Sequence, residues 1–268
     1  MALDLLHIAN IPLRKHSSIR SLASDLDIPK STLHARIKEG LLKVHSNALK
    51  HYLTENNKIH RLKFCISMLN PISIANNNLV FEDMYNIIHV DEKWFNTTKD
   101  CQKYYLLPEE VEPHRTCKSK RFITKVMFFA AVACPRFDTS RNQHFDGKLG
   151  IWSFVCQEPA KRSSKNRPAG AMETKPCAVD KAEYRRMMLE NVLPSIWSKW
   201  PRSGRSQGIV YIQQDNAKPH ISPNDEQFNM ETLKDTGSDI RLTCQPPSSP
   251  DLNALDLGFF RASQTLQY

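Results

Sequence analysis

The chain has 268 residues, a formal net charge of +9 and a sequence pI of about 9.2, a balance that favours a polyanionic partner. Apolar residues make up 40% of it, enough for a packed core. No apolar run approaches the roughly 20 residues a membrane-spanning helix needs, and the N-terminus carries neither a basic start nor a cleavage signal for export. The seven cysteines are widely spaced, with no Cys-x-x-Cys pair, which argues against a zinc ribbon or a disulfide framework and fits a reducing compartment.

Residues 1–80 read as helical. Ile19, Leu22, Ala23 and Leu26 fall on one face at helical spacing. Asp27 and Pro29 break that pattern, and a second short helix follows, with Ser31 as its expected N-cap and Gly40 as its stop. Leu33 and Ile37 face inward, while Lys30, Thr32, His34, Arg36 and Lys38 stay wet and, with Ser31, are the candidate DNA contacts. Two short helices joined by a tight turn, the second one basic, form the helix-turn-helix layout, in which the second helix enters the major groove of duplex DNA. Residues 1–80 hold 11 Lys and Arg against 5 Asp and Glu, a net of +6 out of the chain's +9. That concentration is the expected footprint of a DNA-binding module. Residues 41–70 continue as a basic linker and another amphipathic helix, with Leu62, Cys65, Ile66 and Leu69 on its apolar side.

Strand-like text begins at residue 87. Segments 87–91, 103–107 and 123–133 read as three consecutive strands of an antiparallel meander. Residues 139–178 are polar, rich in Ser, Lys, Arg and Pro, and are expected to form an insertion or long loop. An amphipathic helix spans 180–200, with Tyr184, Met188, Val192, Leu193 and Ile196 inward. Strands follow at 209–213 and 240–244, and after the Pro-Pro-Ser-Ser-Pro break at 246–250 a last helix starts near Leu252. Three strands, a helix, two strands and a helix make an α/β fold of ribonuclease H-like type: a mixed five-stranded sheet with flanking helices. The expected organisation is a helix-turn-helix domain at 1–44, a helical linker at 45–80, and a catalytic domain at 81–268 carrying a basic insertion at 139–178.

Three segments place aspartates at suggestive points in that order. Asp91 ends the first strand-like run, Asp215 follows the fourth, and Asp251 and Asp256 lie at the last helix. Carboxylates are hard oxygen ligands suited to Mg²⁺ or Mn²⁺. Two such ions about 3.5–4 Å apart support cleavage and rejoining of phosphodiesters. A strand-borne Asp91 is the natural bridge between the ions, with the other two carboxylates flanking. Each aspartate alone also reads as a strand end, a turn or a helix cap; their joint placement favours a metal site.

Several long motifs resemble those of mariner-like transposases, of the plant-type branch. They are residues 90–95 (Val-Asp-Glu-Lys-Trp-Phe), 213–220 (Gln-Gln-Asp-Asn-Ala-Lys-Pro-His) and 245–260 (Gln-Pro-Pro-Ser-Ser-Pro-Asp-Leu-Asn-Ala-Leu-Asp-Leu-Gly-Phe-Phe), with further likeness at 45–58, 145–152 and 161–170. The resemblance implies a cut-and-paste DNA transposase. It implies Asp91, Asp215 and Asp256 as catalytic metal ligands, two Mg²⁺ or Mn²⁺ ions as cofactors, and a nuclear location. Its partners would be double-stranded DNA (terminal inverted repeats and target) and a second copy of the chain, with no membrane. Asp251 would then cap the helix presenting Asp256. Forty residues separate Asp215 from Asp256, one more than the plant-type pattern has. His220 reads equally as a DNA or metal-water contact and as a surface histidine. Lys161, Arg162, Lys165 and Arg167 are expected to touch DNA phosphates or the partner subunit, or to act as an import signal; a plain solvated loop is the bland alternative. Measured against the family pattern, a first helix-turn-helix unit and further C-terminal helices are expected to be missing. Competing readings are a truncated, catalytically inactive DNA-binding relative and a nuclease acting on RNA–DNA hybrids; the helix-turn-helix argues against the latter.

Overall fold

The computed structural model describes residues 5–45, 52–98, 103, 105, 107–117, 119, 123–201, 208–234 and 239–266. The chain divides into two compact units, Met1–Tyr52 and Leu53–Tyr268.

The first unit holds α1 (Leu5–Asn10), a 3₁₀ turn (Leu13–Ser17), α2 (Ile19–Asp25) and α3 (Lys30–Lys38). Ser18 caps α2 by accepting from the Ser21 amide. Asp27, at φ +52°, turns the chain between α2 and α3, and Ala23 and Leu33 are buried. Ser31 does not cap α3. The helix starts two residues earlier than that cap would have it, because Pro29 is itself extended and its carbonyl already accepts from the Thr32 amide at 3.0 Å. Gly40 does stop it: at φ +75° it lets the amides of Leu41 and Leu42 fold back onto the Arg36 carbonyl.

The second unit opens with α4 (Glu55–Ser67), capped by Thr54, and α5 (Pro71–Ala75), capped by Asn70. The apolar face read for α4 is rotated. Leu62 is 60% and Ile66 49% exposed, while Arg61, Phe64, Cys65, Met68 and Leu69 are half-buried. The cause is Arg61, whose guanidinium turns inward to grip Asp251 with two hydrogen bonds of 2.8 and 2.6 Å.

The sheet strands are β1 (Ile87–Asn96), β2 (Lys125–Ala133), β5 (Lys148–Ser153), β8 (Ile209–Gln214) and β9 (Asp239–Cys244), in the order β5-β2-β1-β8-β9. The first three run antiparallel, and β8 and β9 join β1 in parallel. This is the mixed five-stranded sheet with flanking helices expected from the sequence. Its third meander strand comes from a different place. Lys103, Tyr105 and Leu107 belong to no strand, and Tyr104 and Leu106 lie outside the described residues. The strand is instead Lys148–Ser153, inside the segment read as a loop. That segment also carries β4 (Gln143–Phe145), which pairs with β3 (Arg136–Asp138), and the hairpin of β6 (Val155–Pro159) and β7 (Met172–Pro176). The turn into β5 is Asp146-Gly147. Asp146 accepts from the Lys148 amide, and Gly147 sits at φ +82° where an added Cβ would collide with the Ala133 carbonyl.

One face of the sheet packs on a continuous helix made of α6 (Lys181–Met187), a π turn (Met188–Val192) and α7 (Leu193–Lys199). Asp180 caps it, and Tyr184, Met188, Val192, Leu193 and Ile196 are buried against Ile88, Val90, Phe129, Val210 and Ile212. The wider turn precedes Pro194, which has no N–H for the regular ladder. The helix α8 (Glu226–Thr232) adds Phe228 to this core. The opposite face meets a 3₁₀ turn (Pro250–Leu252), a π turn (Leu255–Phe259) and α9 (Phe260–Leu266). There Leu255 and Phe260 pack on Ala130 and Val132. Among the described residues no helix is long and apolar enough to cross a membrane. Six of the seven cysteines are described, and all six are free thiols.

Candidate active site

The parallel register of β1 and β8 pairs Ile87 with Tyr211, Ile88 with Ile212 and His89 with Gln213. Carried two positions further, it sets Asp91 level with Asp215, where the ladder between the strands has ended. Side chains alternate along a strand, so Asp91 shares the face of Lys93 and Ala130, the face crossed by the helix bearing Asp256. Asp91 thus lies within β1 rather than at its end, since the strand runs on to Asn96.

Asp256 and Asp215 both sit within electrostatic reach of Asp91. Burial, then the charge of Asp256, then those of Glu92 and Asp215 push the Asp91 carboxyl up to about 7, against the pull of the Glu92 amide. One Asp91 oxygen accepts from that amide at 2.7 Å, and the other accepts from Asn253 Nδ2 at 2.6 Å. The Asp215 carboxylate is held by His220 Nδ1 at 2.8 Å and by the Ala217 amide at 2.8 Å. The hydrogen bond from His220 keeps Asp215 below the usual carboxylate range. Asp256 faces Lys93 Nζ at 3.7 Å.

His220 is not a surface histidine. It is buried, stacks on the Tyr184 ring at 4.2 Å, and bonds Glu92 through Nε2 at 3.1 Å. Burial opposes its charging, but hydrogen bonds with Asp215 and Glu92 outweigh that and raise it to about 10. Tyr184 in turn donates to Gln214, whose amide donates to the Ile221 carbonyl. The imidazolium therefore ties β1 to the loop after β8 from beneath.

Asp251 does not cap the last helix. Its carboxylate is on Arg61, which also reaches Ser249 Oγ at 2.9 Å. The capping role falls to Asn253, whose Oδ1 accepts from the Leu255 amide at 3.0 Å. Asn253, Glu92 and Arg61 went unread in the sequence. Only Asn253 left a local signal there, an Asx residue two positions before the helix.

Among the described residues no three His, Cys, Asp or Glu side chains are gathered tightly enough to hold an ion as they stand. The positive charges that balance Asp215 and Asp256 are His220 and Lys93. The donor set nonetheless fits a hard divalent cation: the charges of Asp256 and Asp215 both reach Asp91, and each Asp91 oxygen uses one lone pair in a hydrogen bond and keeps another.

The predicted DNA contacts lie apart in sequence. On α3, Lys30, Ser31, His34 and Lys38 are exposed and Thr32 and Arg36 half-buried; Arg36 is paired with Glu39 at 2.6 Å. Lys161, Arg162, Lys165 and Arg167 are exposed on the turn of the β6–β7 hairpin, where Arg167 pairs with Glu173. The register Ser153–Phe128–Lys93 puts the root of that hairpin at the carboxylate end of the sheet.

No family model matches the chain, and no curated protein does. Solved structures do. A pre-cleavage Mos1 transpososome matches with TM-score 0.51 at 18% identity, over 98% of this chain and 63% of that one. The Mos1 mariner paired-end complexes with Mg and with Mn match with TM-scores of 0.51 and 0.50 at 19% and 18% identity, over the same shares. The chain shares their fold. It spans about 63% of the length of those chains.

Proposed function

We propose that the chain is a mariner-like DNA transposase of the plant-type branch, with Asp91, Asp215 and Asp256 as its catalytic carboxylates. The observation that carries this is the register of β1 and β8, which levels Asp91 with Asp215 on the face crossed by the helix of Asp256. The shared fold with Mos1 structures, among them complexes with Mg and Mn, supports it, as do the motifs at 90–95, 213–220 and 245–260.

Two Mg²⁺ or Mn²⁺ ions held by the three carboxylates would activate the attacking water or 3′-hydroxyl and stabilise the leaving oxygen. The protein's part is positioning. Asp91, which feels the charges of both Asp215 and Asp256, would be the ligand common to the two ions. His220 fixes the orientation of Asp215, and Arg61 anchors the turn that leads to Asp256. The exposed cations of α3 would bind duplex DNA at the element's terminal repeats, and the Lys161–Arg167 turn would meet DNA phosphates, a partner subunit or the nuclear import machinery. Nuclear location and a dimeric state belong to the same proposal.

A second reading, a DNA-binding protein without strand transfer, draws on the Lys93 and His220 contacts that already neutralise Asp256 and Asp215. The test is nicking of a labelled duplex carrying a candidate terminal repeat, with Mn²⁺, beside Asp215→Asn. Mn²⁺-dependent nicking that the variant lacks supports the transposase; binding without nicking supports the second reading.

A further inference from the structure

Asn253 makes two hydrogen bonds with opposite ends of one amide. Its Oδ1 accepts from the Leu255 amide at 3.0 Å, and its Nδ2 donates to Asp91 Oδ2 at 2.6 Å. The first bond fixes which end of the amide is oxygen, so the donor necessarily points at Asp91. Asn253 is 3% exposed and its backbone carbonyl accepts from Leu257. It therefore opens the helical turn that carries Asp256 while touching the carboxylate on the neighbouring strand. On its other side the same turn is pinned by Arg61 through Ser249 and Asp251.

We infer that Asn253 is a positioning residue for the candidate metal site, setting the rotation of the Asp91 carboxylate and its spacing from the Asp256 helix through a single amide. The inference rests on the reading of Asp91, Asp215 and Asp256 as metal ligands. With the Glu92 amide on Oδ1 and Asn253 on Oδ2, each oxygen is held by one donor and keeps a further lone pair. Removing one donor frees the carboxylate to rotate. Outer partners of this kind alter metal affinity about 10–100-fold.

The test compares full-length parent, Asn253→Ser and Asp91→Asn without DNA. Serine can still accept from the Leu255 amide through an analogous turn but is too short to reach Asp91. Mn²⁺ affinity is measured by calorimetry, and the Mn²⁺-induced rise in thermal midpoint is read beside it, so a variant with a lowered baseline still reports. The expected result is Mn²⁺ binding about 10–100-fold weaker in Asn253→Ser and lost in Asp91→Asn. Parental Mn²⁺ affinity and midpoint rise in Asn253→Ser, with both lost in Asp91→Asn, overturns the inference alone. Parental binding in Asp91→Asn removes the metal site and the inference with it.

Discussion

Single side chains show where this fold spends charge. Asp225 is the clearest case outside the carboxylate cluster. It takes the Arg185 guanidinium at 2.7 Å and caps α8 through the Phe228 amide. The Arg185 hydrogen bonds hold its carboxyl below the usual range. A depressed carboxyl contributes stability above its unfolded value of about 3.9, and the contribution is lost as pH falls through the folded value. Asparagine keeps the cap but loses the ion pair. Asp225→Asn should therefore cost about 2 kcal/mol in urea unfolding at pH 7, with the difference shrinking below about pH 4. A cost that stayed constant down to pH 2.5 would show that the charge contributes nothing. His220 teaches a different lesson about what a sequence reveals. As text it follows Asp215 by five residues and fits surface or site equally well. Its burial depends on Tyr184 and Glu92, which lie far off in sequence and reach it only once the strands pair.

At the scale of elements, several were legible: β2, β8 and β9 fall where the sequence puts them, β1 starts there but runs five residues further, and the helix from Asp180 to Trp200 also matches. The failures have physical causes. β5 was missed because Lys148–Ser153 sits in a polar stretch, and its strand character comes from pairing with β2. Its entry depends on Gly147. Gly147→Ala should destabilise by about 3 kcal/mol, combining a positive-φ penalty with a backbone collision; chemical unfolding that matched the parent would contradict the tight Asp146-Gly147 turn. The face of α4 was misread because one of its half-buried residues is a charged one, Arg61, whose partner Asp251 is 190 positions away. That ion pair is partly exposed, at 21% and 58% of the side chains, so a double-mutant cycle over Arg61→Ala and Asp251→Ala should give a coupling of only about 1 kcal/mol. Raising the salt to 1 M should reduce it further. A coupling near zero at low salt would mean that α4 does not anchor the turn.

For the whole molecule, the order of elements carried more information than any one of them. Carboxylates at the first strand, the fourth strand and the last helix make sense only if the first and fourth strands are neighbours, and the β5-β2-β1-β8-β9 order makes them so. The chain has two units, and the candidate carboxylates all lie in the second, while the basic helix α3 lies in the first. What the sequence did not expose was the apparatus around the aspartates: Asn253 on Asp91, His220 on Asp215, Lys93 near Asp256. Each is a contact between segments distant in the chain or a matter of which way a side chain turns, and neither is written in local pattern. The central claim is that the three aspartates act as one centre on DNA. The direct measurement is the single-turnover rate of Mn²⁺-dependent duplex nicking for the full chain and for Asp91→Asn, Asp215→Asn and Asp256→Asn side by side. Each substitution is predicted to slow nicking by more than about 100-fold, beyond the loss expected of an outer partner, with the folded state retained. Parental nicking by any folded one of the three would contradict the account.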